Sequence, residues 1–172
     1  SAPEWLQRKR IWSEGSERDI DYFICDNEEA LVYLANLGTI PLHVWASRVD
    51  SLEQPDWCVL DLDPKGAAFT DVVKIALAIR ALCDEIGLPS YPKTSGSTGL
   101  HVLVPLGRQV TFEQCRHFAE FLATVIVKRL PAIATIERAI PKRKGRVYVD
   151  FLQNGHGKLI VAPFSVRPVP GA

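Results

Sequence analysis

Apolar residues along this chain recur at two spacings, near two and near three to four, and the switches between them lay out its elements. Arg8 to Trp12 and Asp19 to Ile24 are rich in β-branched and aromatic residues on either side of Gly15-Ser16, which predicts a hairpin. Asp26 and Glu29 then stand at the N-cap and N3 of a capping box. Leu31, Leu34 and Ala35 supply an apolar stripe and Gly38 a stop, which predicts a helix. A short strand from Pro41 to Trp45 ends this first unit. From Trp57 the pattern predicts strand 57–62, helix about 70–86 beginning at Thr70, strand 90–94, a loop from Ser95 to Gly99, strand 100–105 and helix about 111–129. Thr111 and Gln114 form a second capping box. Strand candidates follow at 133–137, 146–152 and 158–162.

From Trp57 onward this order is β-α-β-β-α-β, the split-βαβ arrangement. The expected fold is therefore α+β: an RRM-like antiparallel sheet with helices on one face, preceded by a small hairpin and helix. One domain over 1–172 is expected, with an N-terminal unit at about 1–50 and the sheet at about 55–165. Right-handed crossovers place the first and third strands of the motif side by side and the fourth against the first. Segment 133–137 competes with 146–152 for that fourth position.

This topology carries a chemical consequence. Successive side chains of a strand point to opposite faces, so Asp61 and Asp63 share one face and Leu60 and Leu62 the other. Val102 and Val104 belong under the helices, which sends His101 to the open face beside the aspartates. The same alternation puts Val147, Val149 and Phe151 on one side, and Tyr148 and Asp150 on the other. Two like charges so close call for a cation between them. Three carboxylates without a cysteine cluster offer hard oxygen ligands, suited to Mg²⁺ or Mn²⁺. The plainer reading, that Asp63-Pro64 only ends a strand, leaves Asp61 unexplained.

The loop from Lys93 to His101, with Ser95, Gly96, Ser97, Thr98 and Gly99, could bring backbone N–H groups and hydroxyls to an anion. It lacks the spacing and the following helix of a P-loop, and a hairpin turn would look the same. His43 alternates with apolar neighbours and reads as half-buried, His117 as a surface residue on a helix, and His156 as a turn residue. Lys142, Arg143, Lys144 and Arg146 are either a nucleic-acid backbone contact or solvated loop charge. Arg167 either reaches a phosphate or pairs with a surface carboxylate.

Composition narrows the class. The 172 residues are 47% hydrophobic and 23% charged, an ordinary globular balance. Twenty basic and twenty acidic residues cancel, so binding to nucleic acid must come from local patches. Cys25, Cys58, Cys83 and Cys115 show no metal-ligand spacing and are expected as reduced, buried thiols, which favours an intracellular compartment. No apolar run approaches membrane-spanning length. The absence of any methionine suggests a piece of a longer chain.

Several stretches together resemble one family: Asp56 to Pro64, Pro92 to Val102, Gly145 to Asn154 and Val161 to Pro168, with Pro3-Glu4-Trp5 and Leu34 to His43 matching as well. They look like the polymerase domain of the bacterial multifunctional DNA ligase D, within the archaeo-eukaryotic primase superfamily. The resemblance implies a template-dependent nucleotidyltransferase that adds nucleotides, ribonucleotides by preference, to DNA primers at gapped or broken ends during end-joining. It implies two Mn²⁺ or Mg²⁺ ions, nucleoside triphosphates as substrates, ligase and nuclease domains or an end-binding factor as partners, and a cytoplasmic, nucleoid-associated location. Asp61, Asp63 and Asp150 match the metal-binding catalytic carboxylates. Ser95, His101, Arg167 and His43 match nucleotide-binding residues, and Thr98 stands where many relatives carry a lysine. Relatives also begin with a further segment that contributes to the nucleotide site. Two rivals remain: a nucleic-acid-binding module, whose open face would need stacking rings where this one is acidic, and a metal-dependent phosphohydrolase, whose pattern needs a threonine where Lys65 stands.

Overall fold

The computed structural model describes residues 2–13 and 15–170. Its elements in chain order are β1 (Arg8–Ser13), β2 (Arg18–Phe23), α1 (Glu28–Asn36), β3 (His43–Trp45), β4 (Trp57–Asp63), α2 (Phe69–Glu85), β5 (Tyr91–Thr94), β6 (Leu100–Pro105), α3 (Phe112–Arg129), β7 (Ala134–Thr135), α4 (Ile140–Arg143), β8 (Val147–Asp150) and β9 (Leu159–Val161). β1 and β2 form the expected hairpin. α1 is capped one residue later than expected: the Asn27 side chain accepts from Ala30 N–H at 2.8 Å, while Asp26 accepts from the Asn27 amide. A cap must reach the N–H three residues on, and for this first turn that position belongs to Asn27. α2 begins at Phe69 with no side-chain cap, whereas α3 carries the capping box of Thr111 and Gln114 as read.

The main sheet has the strand order β5-β6-β4-β8-β7. β4 lies antiparallel between β6 and β8, so the fourth strand of the motif is 147–150. The competing segment contributes only Ala134 and Thr135, which pair parallel to β8 at the outer edge. Segment 158–162 does not join this sheet; β9 pairs with β3 in a separate ribbon. Both α2 and α3 cover one face, where Cys58, Leu60 and Leu62 of β4, Val104 of β6 and Val147 and Val149 of β8 meet Val72, Ile75 and Ile79 of α2 and Leu122 and Ile126 of α3, all fully buried. The alternation in β4 thus drives its leucines into the core and leaves its aspartates on the other side.

β8 pairs with β4 only from Asp61 to Asp63. Beyond that, the buried side chain of Asn154 takes over: its Oδ1 accepts from Val59 N–H at 2.7 Å, and its Nδ2 donates to Val59 O at 2.7 Å and Phe151 O at 2.8 Å. One amide thereby satisfies the Val59 backbone that would otherwise be buried without partners. Cys58, Cys83 and Cys115 are buried free thiols, but Cys25 is exposed, against expectation. Among the described residues, no helix is long and apolar enough to cross a membrane.

Candidate active site

Register builds the site. Lys93 of β5 lies directly opposite His101 of β6, His101 opposite Asp61 of β4, and Asp61 opposite Asp150 of β8. The four side chains form a row across four neighbouring strands on the face away from α2 and α3. Asp63 adds a third carboxylate two residues along β4, opposite Tyr148. These groups, apart from Lys93, line a cleft of about 410 Å³ together with Ser95, Ser97, Thr98, Gly99, Arg143 and Arg167.

The electrostatics follow from this crowding. Burial, then the charges of Asp150 and Asp63, push the Asp61 carboxyl from an ordinary 3.8 up to about 7, against the opposing pull of Lys93 and Arg167. His101, 4% exposed, is driven down to about 4 by burial, then by Lys93 and Arg167, so the ring is neutral near pH 7. Burial and the neighbouring Asp150 carry Tyr148 up to about 12; its hydroxyl donates to Asp150 Oδ1 at 3.1 Å. Leu152 N–H also donates to that oxygen, at 2.8 Å.

The 95–99 loop is shaped by Ser95. Its Oγ accepts from Ser97 N–H at 3.2 Å and Gly99 N–H at 3.1 Å, so the hydroxyl hydrogen is left to donate elsewhere. Gly99 is required by packing: a Cβ there would collide with the carbonyl oxygen of Leu62, between the two β4 aspartates. Arg167, following β9, lays its stem against Gly96 and donates to Ser95 O at 3.4 Å, which brings a guanidinium to the cleft from the far end of the chain.

The basic segment divides. Lys142 and Lys144 are exposed, whereas Arg143 is buried and turned inward. Its guanidinium pairs with Asp63 Oδ2 at 2.8 Å, donates to Arg138 O and lies 4.4 Å over the Tyr148 ring. The sequence left this arginine as either a nucleic-acid contact or solvated loop charge; the structure buries it as the cation partner of Asp63. His43 is exposed on β3 and is not among the residues lining the cleft. His117 is exposed on α3. His156 pairs with Glu53 at 3.3 Å and sets its ring edge-on to Trp45 and Phe112. Lys93 and Tyr148 gained no site role from sequence, although the register of a hairpin closed by loop 95–99 would have set Lys93 beside His101.

Among the described residues, no three His, Cys, Asp or Glu side chains are grouped closely enough to hold a metal ion as they stand. The donor set is nevertheless of the hard-oxygen kind that a divalent cation takes. Asp61, Asp63 and Asp150 present carboxylate oxygens to one cleft, and their mutual repulsion, expressed at Asp61, is what a cation there would relieve.

A family model, the LigD primase-polymerase domain, matches residues 1–172. The chain belongs to that family. It is 32% identical over 168 residues to the bifunctional non-homologous end joining protein LigD of Bacillus subtilis, covering 96% of this chain and 26% of that protein. It is 35% identical over 144 residues to the multifunctional non-homologous end joining protein LigD of Pseudomonas aeruginosa, covering 83% of this chain and 17% of that one. The chain therefore spans about a quarter or less of the length of these curated LigD relatives. Among solved structures, the polymerase domain of Mycobacterium tuberculosis ligase D in complex with DNA superposes with a TM-score of 0.87 at 32% identity, covering 97% of this chain and 61% of that chain. The expected α+β primase fold of the LigD polymerase domain is thus the observed one.

Proposed function

We propose that this chain is a template-dependent nucleotidyltransferase that adds nucleotides, ribonucleotides by preference, to the 3′ end of DNA primers at gapped or broken ends. The observation that carries this reading is the placement of Asp61 directly opposite both Asp150 and His101, in a cleft whose other wall holds Ser95 and Arg167. An acidic side and a phosphate-binding side then share one pocket, as transfer of a nucleotidyl group from a triphosphate to a hydroxyl requires.

Asp61, Asp63 and Asp150 would hold two divalent ions, Mn²⁺ or Mg²⁺, which when bound lower the pKa of the attacking 3′-hydroxyl and neutralise the departing pyrophosphate. The chain's own residues orient the phosphates. Arg167 offers a planar fork of donors, and Ser95 a hydroxyl hydrogen whose direction is set because its oxygen already accepts two backbone bonds. His101 is a neutral ring, so its contribution is a directed hydrogen bond rather than charge. Thr98 adds a hydroxyl to the cleft lining, whereas the nucleotide-binding role of His43 rests on the family resemblance alone, since it lies outside that lining. The names of the LigD relatives and the DNA-bound solved neighbour support a setting in end-joining on DNA; a nucleoid-associated location, with ligase or nuclease domains or an end-binding factor as partners, is part of the same proposal.

Incubation with nucleoside triphosphates, Mn²⁺ and a gapped duplex tests the reading. Primer extension is expected, and Asp61→Ala should reduce it by roughly a thousandfold or more, with the circular dichroism spectrum unchanged. Undiminished extension in that variant would remove the metal assignment. Phosphate release without DNA would favour a hydrolase, and DNA binding without turnover a non-catalytic module.

A further inference from the structure

Lys93 and His101 are register partners across β5 and β6, and His101 and Asp61 across β6 and β4. Lys93 Nζ lies 3.0 Å from Nδ1 of His101, and Nε2 of the same ring lies 3.6 Å from Asp61 Oδ1. An ammonium carries three hydrogens and no lone pair, so at the first contact the imidazole must accept. A neutral imidazole has one N–H, which is thereby left on Nε2. The ring is 4% exposed, so water does not compete for Nδ1 and the protein makes the choice.

We propose that Lys93 is a positioning residue that holds His101 as the Nε2–H tautomer, so that its single N–H points toward Asp61 and the phosphate side of the cleft. In the other tautomer the Nε2 lone pair would face the Asp61 carboxylate and any phosphate oxygen, and the donor would be turned away from the site. A lysine in this place suits the task better than a serine or an amide, because it has no acceptor with which to stabilise the wrong form. Its bond to Thr94 O at 3.0 Å leaves the ammonium anchored at a second point without altering that logic. The catalytic consequence rests on the nucleotidyl-transfer reading given above; the tautomer does not.

Long-range ¹H–¹⁵N correlation of the imidazoles at neutral pH reads the tautomer directly. The chain has four histidines, and the loss of one signal set in His101→Gln assigns the one of interest. The wild-type ring is expected as Nε2–H, and an Nδ1–H ring there overturns the proposal whether or not any variant folds. In Lys93→Met, which keeps the apolar stem and removes the donor, the Nδ1–H form should appear; an unchanged tautomer overturns the proposal. In the same variant the KM for the nucleoside triphosphate should rise roughly tenfold, the worth of one directed hydrogen bond, with kcat changed far less. Lys93→Arg, which retains donors and no acceptor, should restore both. A lysine that only held the strand end would alter stability and leave tautomer and KM in place. If Lys93→Met shifts the tautomer but the wild-type chain extends no primer, the nucleotidyl-transfer reading falls and the positioning role stands.

Discussion

Asp61 is a carboxyl whose neighbours make it behave unlike an aspartate. Folded, it titrates at about 7 rather than 3.8, because it is buried and faces Asp150 and Asp63. Between those two values the folded protein holds a proton that the unfolded chain has released, so stability falls as pH rises from about 4 to 7. His101 acts in the opposite sense. Its folded value of about 4, against 6.5, means that the unfolded chain holds the proton, and stability rises from pH 4 to 6.5. The two slopes oppose each other across most of that range. Asp61→Asn removes only the first, so its stability relative to wild type should grow steadily from pH 4 to 7, as urea unfolding at several pH values would show. A constant difference would mean that the carboxyl is ordinary. Arg143 belongs at the same scale. Because its guanidinium already satisfies Asp63 at 2.8 Å, Arg143→Met should tighten Mn²⁺ binding by about tenfold, as one positive charge leaves an acidic cleft. Isothermal titration without nucleotide measures it, and weaker binding would mean that Arg143 instead supports the carboxylate geometry.

The elements show where a sequence can and cannot be read. The alternation in β4, the turn at 95–99 and the capping box of α3 are local signals, carried by residues two to four apart, and they suffice to place Asp61, Asp63, Ser95 and His101 on shared ground. The inward turn of Arg143 was not legible, because its partner Asp63 is 80 residues away and nothing between them marks the pairing. Neither was the ribbon of β3 and β9, nor the parallel β7, two residues long and carrying no periodicity. Asn154 stood within a recognised stretch, but its task depends on where β8 stops pairing. Removing it in Asn154→Ala would leave Val59 N–H and C=O buried and unpaired, which should cost about 3 kcal/mol in chemical denaturation. A change below about 0.5 kcal/mol would show that water replaces the amide.

For the molecule as a whole, charge balance decides how it can meet a polyanion. Twenty acidic and twenty basic residues leave no net field, and Arg143 is spent on Asp63, so any grip on a DNA backbone falls to exposed residues such as Lys142 and Lys144. Replacing both with alanine should flatten the dependence of log affinity on log salt by about two units, one per phosphate contact, without favouring any sequence. An unchanged slope would place the DNA elsewhere. Among the described residues, β1 and β2 form a sheet of their own, and neither they nor α1 contribute to the buried core beneath α2 and α3.

The row of Lys93, His101, Asp61 and Asp150 runs along the hydrogen-bonding direction of the sheet, about 14 Å across four strands at the usual spacing. Its members are tuned to one another by alignment rather than by proximity in sequence. A slip of one residue in β6 would turn His101 toward the helices and Val102 toward the carboxylates, and a slip of two would keep the apolar face intact while replacing the imidazole with Leu103. The second error would leave a well-packed protein that is chemically silent. Gly99, wedged against Leu62, guards against it, so a two-residue insertion in loop 95–99 should uncouple foldedness from activity more cleanly than any substitution in the core.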